Sequence, residues 1–397
     1  MSALFAAASL TLLPTTLRTE MLVQWAWQQA DTPVQQAQTT PKVDPKFQPE
    51  VDKDIELGKQ YAAEVLKEEK PTAKPEYQAR ADRIGYEIAD IANRTHAKVT
   101  WGDRRFAIFP YKFTVIQGKD INAFSLPGGQ IFIYEGLMDY VESDDELAGV
   151  VSHEVAHAAF RHVATLRKQQ DKVSLMQIPF ILAALFSRGQ GGLEGLIGVQ
   201  MLGQALTSGW SVAAEESADY GGFQYMVQSS YNPTGILTFM ERLARDERTF
   251  LGINLGIYRT HPPSRERAVS LTNYMSKAGV PLRRSLVTTS FRVVATEDKG
   301  AYRLKFGKTN LFALSGKDPA RVQEAVSRLN LMFDSTPAMF EVKASEDGSL
   351  MYHGRPVWTF TAGDLEQNQT LKAKAQDALK SVKECLYILS FQIKSAK

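Results

Sequence analysis

Residues 147–160, Leu-Ala-Gly-Val-Val-Ser-His-Glu-Val-Ala-His-Ala-Ala-Phe, constrain the fold more than any other stretch of this chain. Apart from Ser152, only His153, Glu154 and His157 in it are neither apolar nor glycine. A helix that is apolar nearly all round has no face to give to water and must be buried. Burying an ionisable side chain without a partner is costly, so the surroundings of this helix have to supply partners for all three. Ser143-x-x-Glu146 is a capping-box pattern and marks where the helix opens. His153 and His157 are four residues apart, which puts both imidazoles on one face, one turn from each other. Two imidazole nitrogens at that spacing reach one zinc ion, with Glu154 beside them to poise a water at the metal. The competing reading is a pair of core histidines hydrogen-bonded to backbone. Placing two of the chain's six histidines around one glutamate weighs against coincidence.

A catalytic zinc site uses three protein ligands and leaves a fourth position open, so a third ligand is needed. His162 follows His157 by five residues, whereas the metzincin pattern puts its third histidine six residues on, with a glycine where Phe160 stands here. His162 therefore reads as a support for a ligand or as a surface residue. Glu215, in Ala-Ala-Glu-Glu-Ser-Ala-Asp at 213–219, is the better candidate. Glu215 and Asp219 are also four apart, so a helix aims both carboxylates the same way. One of them can ligate the metal while the other accepts the spare N–H of a ligand histidine and fixes its tautomer. Glu216 competes with Glu215 but points roughly a quarter-turn away from the Asp219 face. Alone, the cluster also reads as a solvated acidic helix end, and it gains weight from the histidine pair.

The rest of the chain supplies context. Helical apolar spacing runs through residues 52–69 and 77–94, then gives way to period-two alternation in 105–117 and 129–136. In the second run Ile131 and Ile133 face one way, and Phe132 and Tyr134 the other. Between the runs lies a turn built on Pro127-Gly128-Gly129. After about Pro281 strands return at 290–298, 302–307 and 311–316, followed by a helix from Pro319 to Met332, more hairpin strands, and a polar helix from Glu366 to about Cys385. His353 and Trp358 fall on those hairpin strands, where packing accounts for them. The predicted fold is α+β: a mostly helical domain with a small sheet at 49–280, which carries the zinc motif, then a small C-terminal α/β domain of unknown function at 286–397. Residues 1–48 read as a leader and flexible spacer. Met1 to Pro14 has an apolar run of signal-peptide length with no basic residue ahead of it, and 28–49 are rich in Gln, Thr and Pro. This is expected of an exported protein with an atypical leader, or of a misplaced start.

A net charge of +2 gives no electrostatic reason to expect nucleic acid, so no nucleic-acid partner is predicted. The lone Cys385 cannot form an intramolecular disulfide. No apolar run reaches the ~18 residues of a membrane span. The nearest, within 175–206, reads either as core helices or as a hairpin making peripheral membrane contact.

His-Glu-Val-Ala-His-Ala-Ala-Phe-Arg-His at 153–162, Glu-Glu-Ser-Ala-Asp at 215–219, the stretch from Asn122 to Leu137 and Thr-His-Pro-Pro-Ser-Arg-Glu-Arg at 260–267 are four separate motifs of this chain. Together they resemble the zinc metallopeptidases of the HtpX and CAAX prenyl protease family, with soluble bacterial envelope members looking most similar. The resemblance implies one Zn2+ per chain held by His153, His157 and Glu215, with Glu154 as catalytic base and Asp219 supporting a ligand. It implies that the strand Gln130, Ile131, Phe132, Ile133, Tyr134 edges the cleft and pairs with an extended polypeptide substrate, as an unpaired sheet edge does. It also brings His261 to the site, to stabilise an oxyanion or cap the zinc; a structural turn histidine is the other reading. The function so implied is a zinc-dependent metalloendopeptidase of the periplasm or cell envelope, acting on misfolded or envelope proteins. An envelope assembly chaperone with little proteolysis is the alternative. Integral family members carry long transmembrane helices where this chain has 175–206, which speaks against prenyl-protein cleavage inside a membrane. Substrate identity and oligomeric state are not legible in the residues.

Overall fold

The apolar helix is the hub on which the other elements are packed. A computed structural model describes residues 41–169, 210–249, 265–298 and 300–393 of the chain. The leader, the 175–206 segment and His261 lie outside the described residues. Val43–Lys397 forms one compact unit. It opens with two helices, α1 (Gln48–Glu68) and α2 (Pro75–Arg94), each with proline in its first turn, where the missing N–H costs nothing. Strands β1 (Lys112–Ile116), β2 (Ala123–Leu126) and β3 (Gln130–Tyr134) follow. A short helix, α3 (Glu135–Tyr140), then leads into the metal-motif helix α4 (Asp144–Ala159). Helices α5 (His162–Gln169), α6 (Trp210–Met226), α7 (Thr234–Thr249), α8 (Arg265–Lys277) and the single-turn α9 (Arg284–Val287) complete this part.

Helix α4 begins where its sequence predicts. The Ser143 hydroxyl accepts from the Glu146 N–H, and Asp144, Asp145 and Glu146 put negative charge at the positive end of the helix dipole. The capping box is not reciprocal, because the Glu146 carboxylate accepts from Glu142 N–H instead of from the cap residue. Arg80 and Arg83 of α2 pin Asp144 from outside. The helix stops at Phe160, and Arg161 then takes the left-handed conformation with φ 51°, which turns the chain into α5. Arg161 is held there by Asp54, at 2.5 Å, and by Asp103, at 2.6 Å. As expected of an all-apolar helix, α4 is enclosed by α2, α6, α7 and β2. Gly149 allows α7 to cross at backbone distance: a Cβ there would lie 2.6 Å from Ile236 Cα.

The small sheet has strand order β1-β3-β2, with β1 parallel and β2 antiparallel to β3. Ile131 and Ile133 enter the main core with Val115, Leu147 and Val151, while Phe132 and Tyr134 pack with Tyr61, Val65 and Phe124 under α1. The alternation read from the sequence is thus correct, with both faces buried. The placing of this strand is not. Gln130, Ile131, Phe132, Ile133 and Tyr134 form the central strand, hydrogen-bonded on both sides, so they are no sheet edge. Period-two patterning reports which face a residue takes but carries no information on strand order. The outer edge of β1 is covered, since Thr72 N–H and Gln117 N–H bond across between it and the 70–72 segment, and the Gln78 amide bonds Val115 N–H and Phe113 C=O. Among the described residues β2 pairs only with β3, which makes β2 the open edge. The Tyr134 N–H donates to Asn122 C=O, and in the alternating ladder the next bonded positions are Phe124 and Leu126. The backbone groups of Ala123 and Ser125 consequently point away from the sheet.

The Pro127–Gly129 turn fixes this edge in space. Gly128 has φ 71°, and a Cβ on Gly58 of α1 would lie 1.8 Å from the Pro127 carbonyl oxygen. The turn is therefore seated directly on α1, and only glycine permits that approach.

After α9 the chain builds two antiparallel meanders, β4 (Val293–Asp298), β5 (Ala301–Phe306), β6 (Thr309–Ser315) and β7 (Val342–Ala344), β8 (Ser349–Tyr352), β9 (Arg355–Thr359). Helix α10 (Pro319–Asp334) lies between them in sequence, and α11 (Leu371–Ile393) follows. These elements share their own core around Leu304, Phe333, Leu350 and Trp358. The C-terminal helix is not polar throughout, as its sequence suggested: Ala375, Ala378, Val382, Cys385, Leu386 and Leu389 form a buried stripe. His353 sits in the turn after β8 with φ 49°, not on a strand, whereas Trp358 is buried in packing as expected. No helix among the described residues is long and apolar enough to cross a membrane.

The two cores are tied by buried polar groups around one ion pair. Arg284, 1% exposed, donates two 2.8 Å bonds to Glu241 of α7 and one to Thr336 beyond α10. Next to it Ser285 is bonded through N–H and hydroxyl to Asp334. Removing one partner leaves a buried, uncompensated charge, so Arg284→Ala is expected to cost about 3–5 kcal/mol in chemical denaturation. A loss below about 1 kcal/mol, the range of an exposed pair, would show that the junction is open to water.

Candidate metal centre

Helices α4 and α6 lie side by side, and their four-residue spacings bring the polar groups of each to one point. His153 Nε2 and His157 Nε2 are 3.0 Å apart. The Glu215 carboxylate faces both, with Oε2 3.3 Å from His153 Nε2 and Oε1 3.3 Å from His157 Nε2. One donor atom from each of the three residues falls within 4.8 Å of the others. Glu216 contributes nothing to this cluster and is half-buried on another face of α6.

Each ligand candidate is held from behind. His153 Nδ1 lies 2.9 Å from Asp219 Oδ1, as the Glu215/Asp219 spacing predicted. Arg267 of α8 in turn donates to both Asp219 oxygens, at 2.7 and 2.8 Å, and lies 3.0 Å from Glu215 Oε2. His157 Nδ1 faces His162 Nδ1 at 2.9 Å, and His162 is not among the three residues whose donor atoms converge. Glu154 is 1% exposed on the same helix. Sequence reading gave Arg267 no role although it stands in the motif at 260–267; its signal was a basic residue within a segment otherwise tied to the site.

The electrostatics fit a divalent cation. Glu154, Glu215 and Asp219 bring three formal negative charges into a buried space and Arg267 brings one positive, which leaves two for a metal ion to balance. Burial disfavours charge on Asp219, but the adjoining Arg267 outweighs it and holds the carboxyl at about 2. Burial likewise opposes a charged His153, yet Asp219 and Glu215 override it and push the imidazole up to about 10. Without a metal, a proton therefore stands in for it.

Residues 77–275, half of the chain, match the model of Peptidase family M48. Two histidines from a His-Glu-x-x-His helix and a glutamate from the next described long helix define the metallopeptidase class of centre. The chain belongs to peptidase family M48. It is 32% identical to metalloprotease LoiP of Escherichia coli (strain K12) over 43% of this chain and 65% of that one. It is also 32% identical to mitochondrial metalloendopeptidase OMA1 of Schizosaccharomyces pombe, over 43% and 48%. To the beta-barrel assembly-enhancing protease of Escherichia coli (strain K12) it is 28% identical, over 41% and 34%. The matched part thus spans about a third to two thirds of these relatives' lengths.

The proton held by His153 has a measurable consequence. Its folded pKa, about 10, stands above the ordinary 6.5, so its contribution to metal-free stability is complete below pH 6.5 and is lost as pH rises through 10. A metal ion has to displace that proton. Titrating metal-free protein with a divalent cation at pH 7.5 should release about one proton, read as a buffer-dependent calorimetric enthalpy. An enthalpy independent of the buffer would mean that His153 is already neutral.

Proposed function

We propose that this chain is a zinc-dependent metalloendopeptidase that cleaves polypeptides bound in extended form. The observation that carries the reading is the convergence of His153 Nε2, His157 Nε2 and the Glu215 carboxylate beside an open sheet edge. Two imidazoles and one carboxylate are a donor set that suits zinc and leaves a fourth position free. When bound, zinc supplies Lewis acidity that polarises a carbonyl and brings the pKa of a water towards ~7. Glu154 takes the proton of the attacking water and passes it to the leaving amine. Asp219 keeps His153 oriented, and Arg267 pairs with both Asp219 and Glu215.

Substrate is proposed to lie along β2 and not along β3. A small cleft is lined by Ser125, Leu126, Gly128, His157, Ala158 and His162, so the C-terminal end of β2 adjoins the histidine side of the site. An extended peptide can add to that edge as a further strand, which recognises backbone and tolerates many side chains. This suits unfolded polypeptides as substrates. A cell-envelope location accords with the leader-like first residues and with the beta-barrel assembly-enhancing proteases among the relatives. The assembly-enhancing part of that name is what favours the second reading, assistance in envelope protein assembly.

Purified full-length protein should bind one zinc and cleave unfolded casein. Glu154→Gln should keep the zinc and lose about 10²–10⁴-fold in cleavage rate. Cleavage retained by that variant would remove Glu154 as the base, and zinc binding without cleavage by the parent would favour the assembly role. Ser125→Pro removes one outward N–H from an edge strand, a position where proline is tolerated. It is expected to raise KM for peptides while zinc content holds; an unchanged KM would move substrate off β2.

A further inference from the structure

We propose that His162 is a positioning residue: anchored by the backbone carbonyl of Trp101, its ring holds His157 in the one tautomer whose Nε2 can bind a metal. The inference rests on the zinc-site reading above and assigns a device that the ligands alone do not reveal.

Hydrogen-bond chemistry fixes the protons along this chain of groups. His162 Nε2 lies 3.0 Å from the Trp101 carbonyl oxygen, which can only accept, so Nε2 carries a hydrogen. A neutral imidazole has one N–H, so His162 Nδ1 presents a lone pair. That lone pair faces His157 Nδ1 at 2.9 Å, so His157 donates from Nδ1. Its own single hydrogen is then used, and His157 Nε2 is left as a lone pair that can accept from His153 Nε2 at 3.0 Å when His153 is protonated there, and can bind a metal in its place. If His162 instead carried a hydrogen on Nδ1, His157 would have to accept there and place its hydrogen on Nε2, where a metal belongs. Both nitrogens of His162 are engaged, by His157 Nδ1 and by the Trp101 carbonyl, which separates this role from that of a third histidine ligand.

The anchor is built by backbone that the sequence does not advertise. Trp101 is clamped against α6, its N–H donating to the Ser217 hydroxyl at 3.1 Å and its carbonyl accepting from that hydroxyl at 2.8 Å. Asp103 N–H bonds to Phe160 C=O just beyond α4. Between them Gly102 has φ 118°, and a Cβ there would lie 2.6 Å from Phe160 O and 2.8 Å from His162 Cδ2. Glycine alone lets the Trp101 carbonyl reach the ring. His162 itself is 2% exposed, so water does not compete for either nitrogen. The two ligand histidines are thus supported differently, His153 by a carboxylate paired to Arg267 and His157 by an imidazole tied to backbone.

The test uses the full chain and zinc itself. His162→Phe keeps a ring in the same space but offers no acceptor, and should weaken zinc binding about 10–100-fold in chelator competition, with the circular dichroism of the parent. His162→Gln, whose amide oxygen can accept, should recover part of that loss. Independently, ¹⁵N spectra of histidine-labelled, zinc-loaded parent should show His162 protonated on Nε2 and His157 on Nδ1. Zinc affinity unchanged in His162→Phe, or a hydrogen on His162 Nδ1, would overturn the proposal. If His162→Phe does not fold, the spectra of the parent decide alone. A parent that binds no zinc fails the proposed function itself, whereas a parent that binds it with His162→Phe unaffected fails only this inference.

Discussion

Everything in the peptidase part depends on one juxtaposition, the buried acidic groups of α6 against the imidazoles of α4, His153 buried and His157 half-buried. Neither helix could be enclosed by itself. Helix α4 carries His153, Glu154 and His157 on an otherwise apolar surface, and α6 carries Glu215 and Asp219 among residues that are themselves buried. Placed together, each supplies what the other lacks, because a buried charge is tolerable only where an opposite charge or a hydrogen-bond partner meets it. Arg267 extends the arrangement to α8, so three helices are fixed by one electrostatic cluster. The core around them is apolar and non-directional, and it is this cluster that sets which faces of the helices meet.

The same logic of complementary constraints places the sheet. Its strands are buried on both faces, by the α4 side through Ile131 and Ile133 and by α1 through Phe132 and Tyr134. One edge is sealed by Gln78 and the 70–72 segment, and the other stands beside the metal cluster. The close contact of Gly58 with the Pro127 carbonyl makes α1 a rigid back support for that edge. Among the described residues, the edge of β2 that pairs with no other strand lies near His157, which lines the same cleft as Ser125.

The C-terminal meanders and their helices have a core of their own, yet they are not loosely appended. Arg284 and Asp334 are buried polar anchors, and Glu142, one residue before the cap of α4, accepts hydrogen bonds from Thr288, Thr289 and Ser290. The junction thus reaches the start of the metal-motif helix itself. Burial of charge at this seam commits the two cores to one relative arrangement more firmly than apolar contact would, since shifting either side takes from buried Asp334 the hydrogen bonds it accepts from Ser285.

The residues alone determined the metal motif, because its signal is local. Spacing of four on a helix decides that His153 aligns with His157 and Glu215 with Asp219, whatever surrounds them, and the alternation in 130–134 decides which side chains share a face. Apolar character all round α4 likewise demands that this helix be buried, whichever neighbours enclose it. What only the tertiary structure decided are the matters that local spacing cannot encode. Strand order made β2 the edge and β3 the centre, since a side-chain pattern records facing but not neighbours. The buried stripe of α11 was hidden in a sequence whose polar positions dominate its average. Arg267 and His162 took their places because α8 and the loop at Trp101 happen to fold against the site. The backbone carbonyl that anchors His162 has no signature in the sequence at all, since every residue carries the same group and only the fold chooses which one is used.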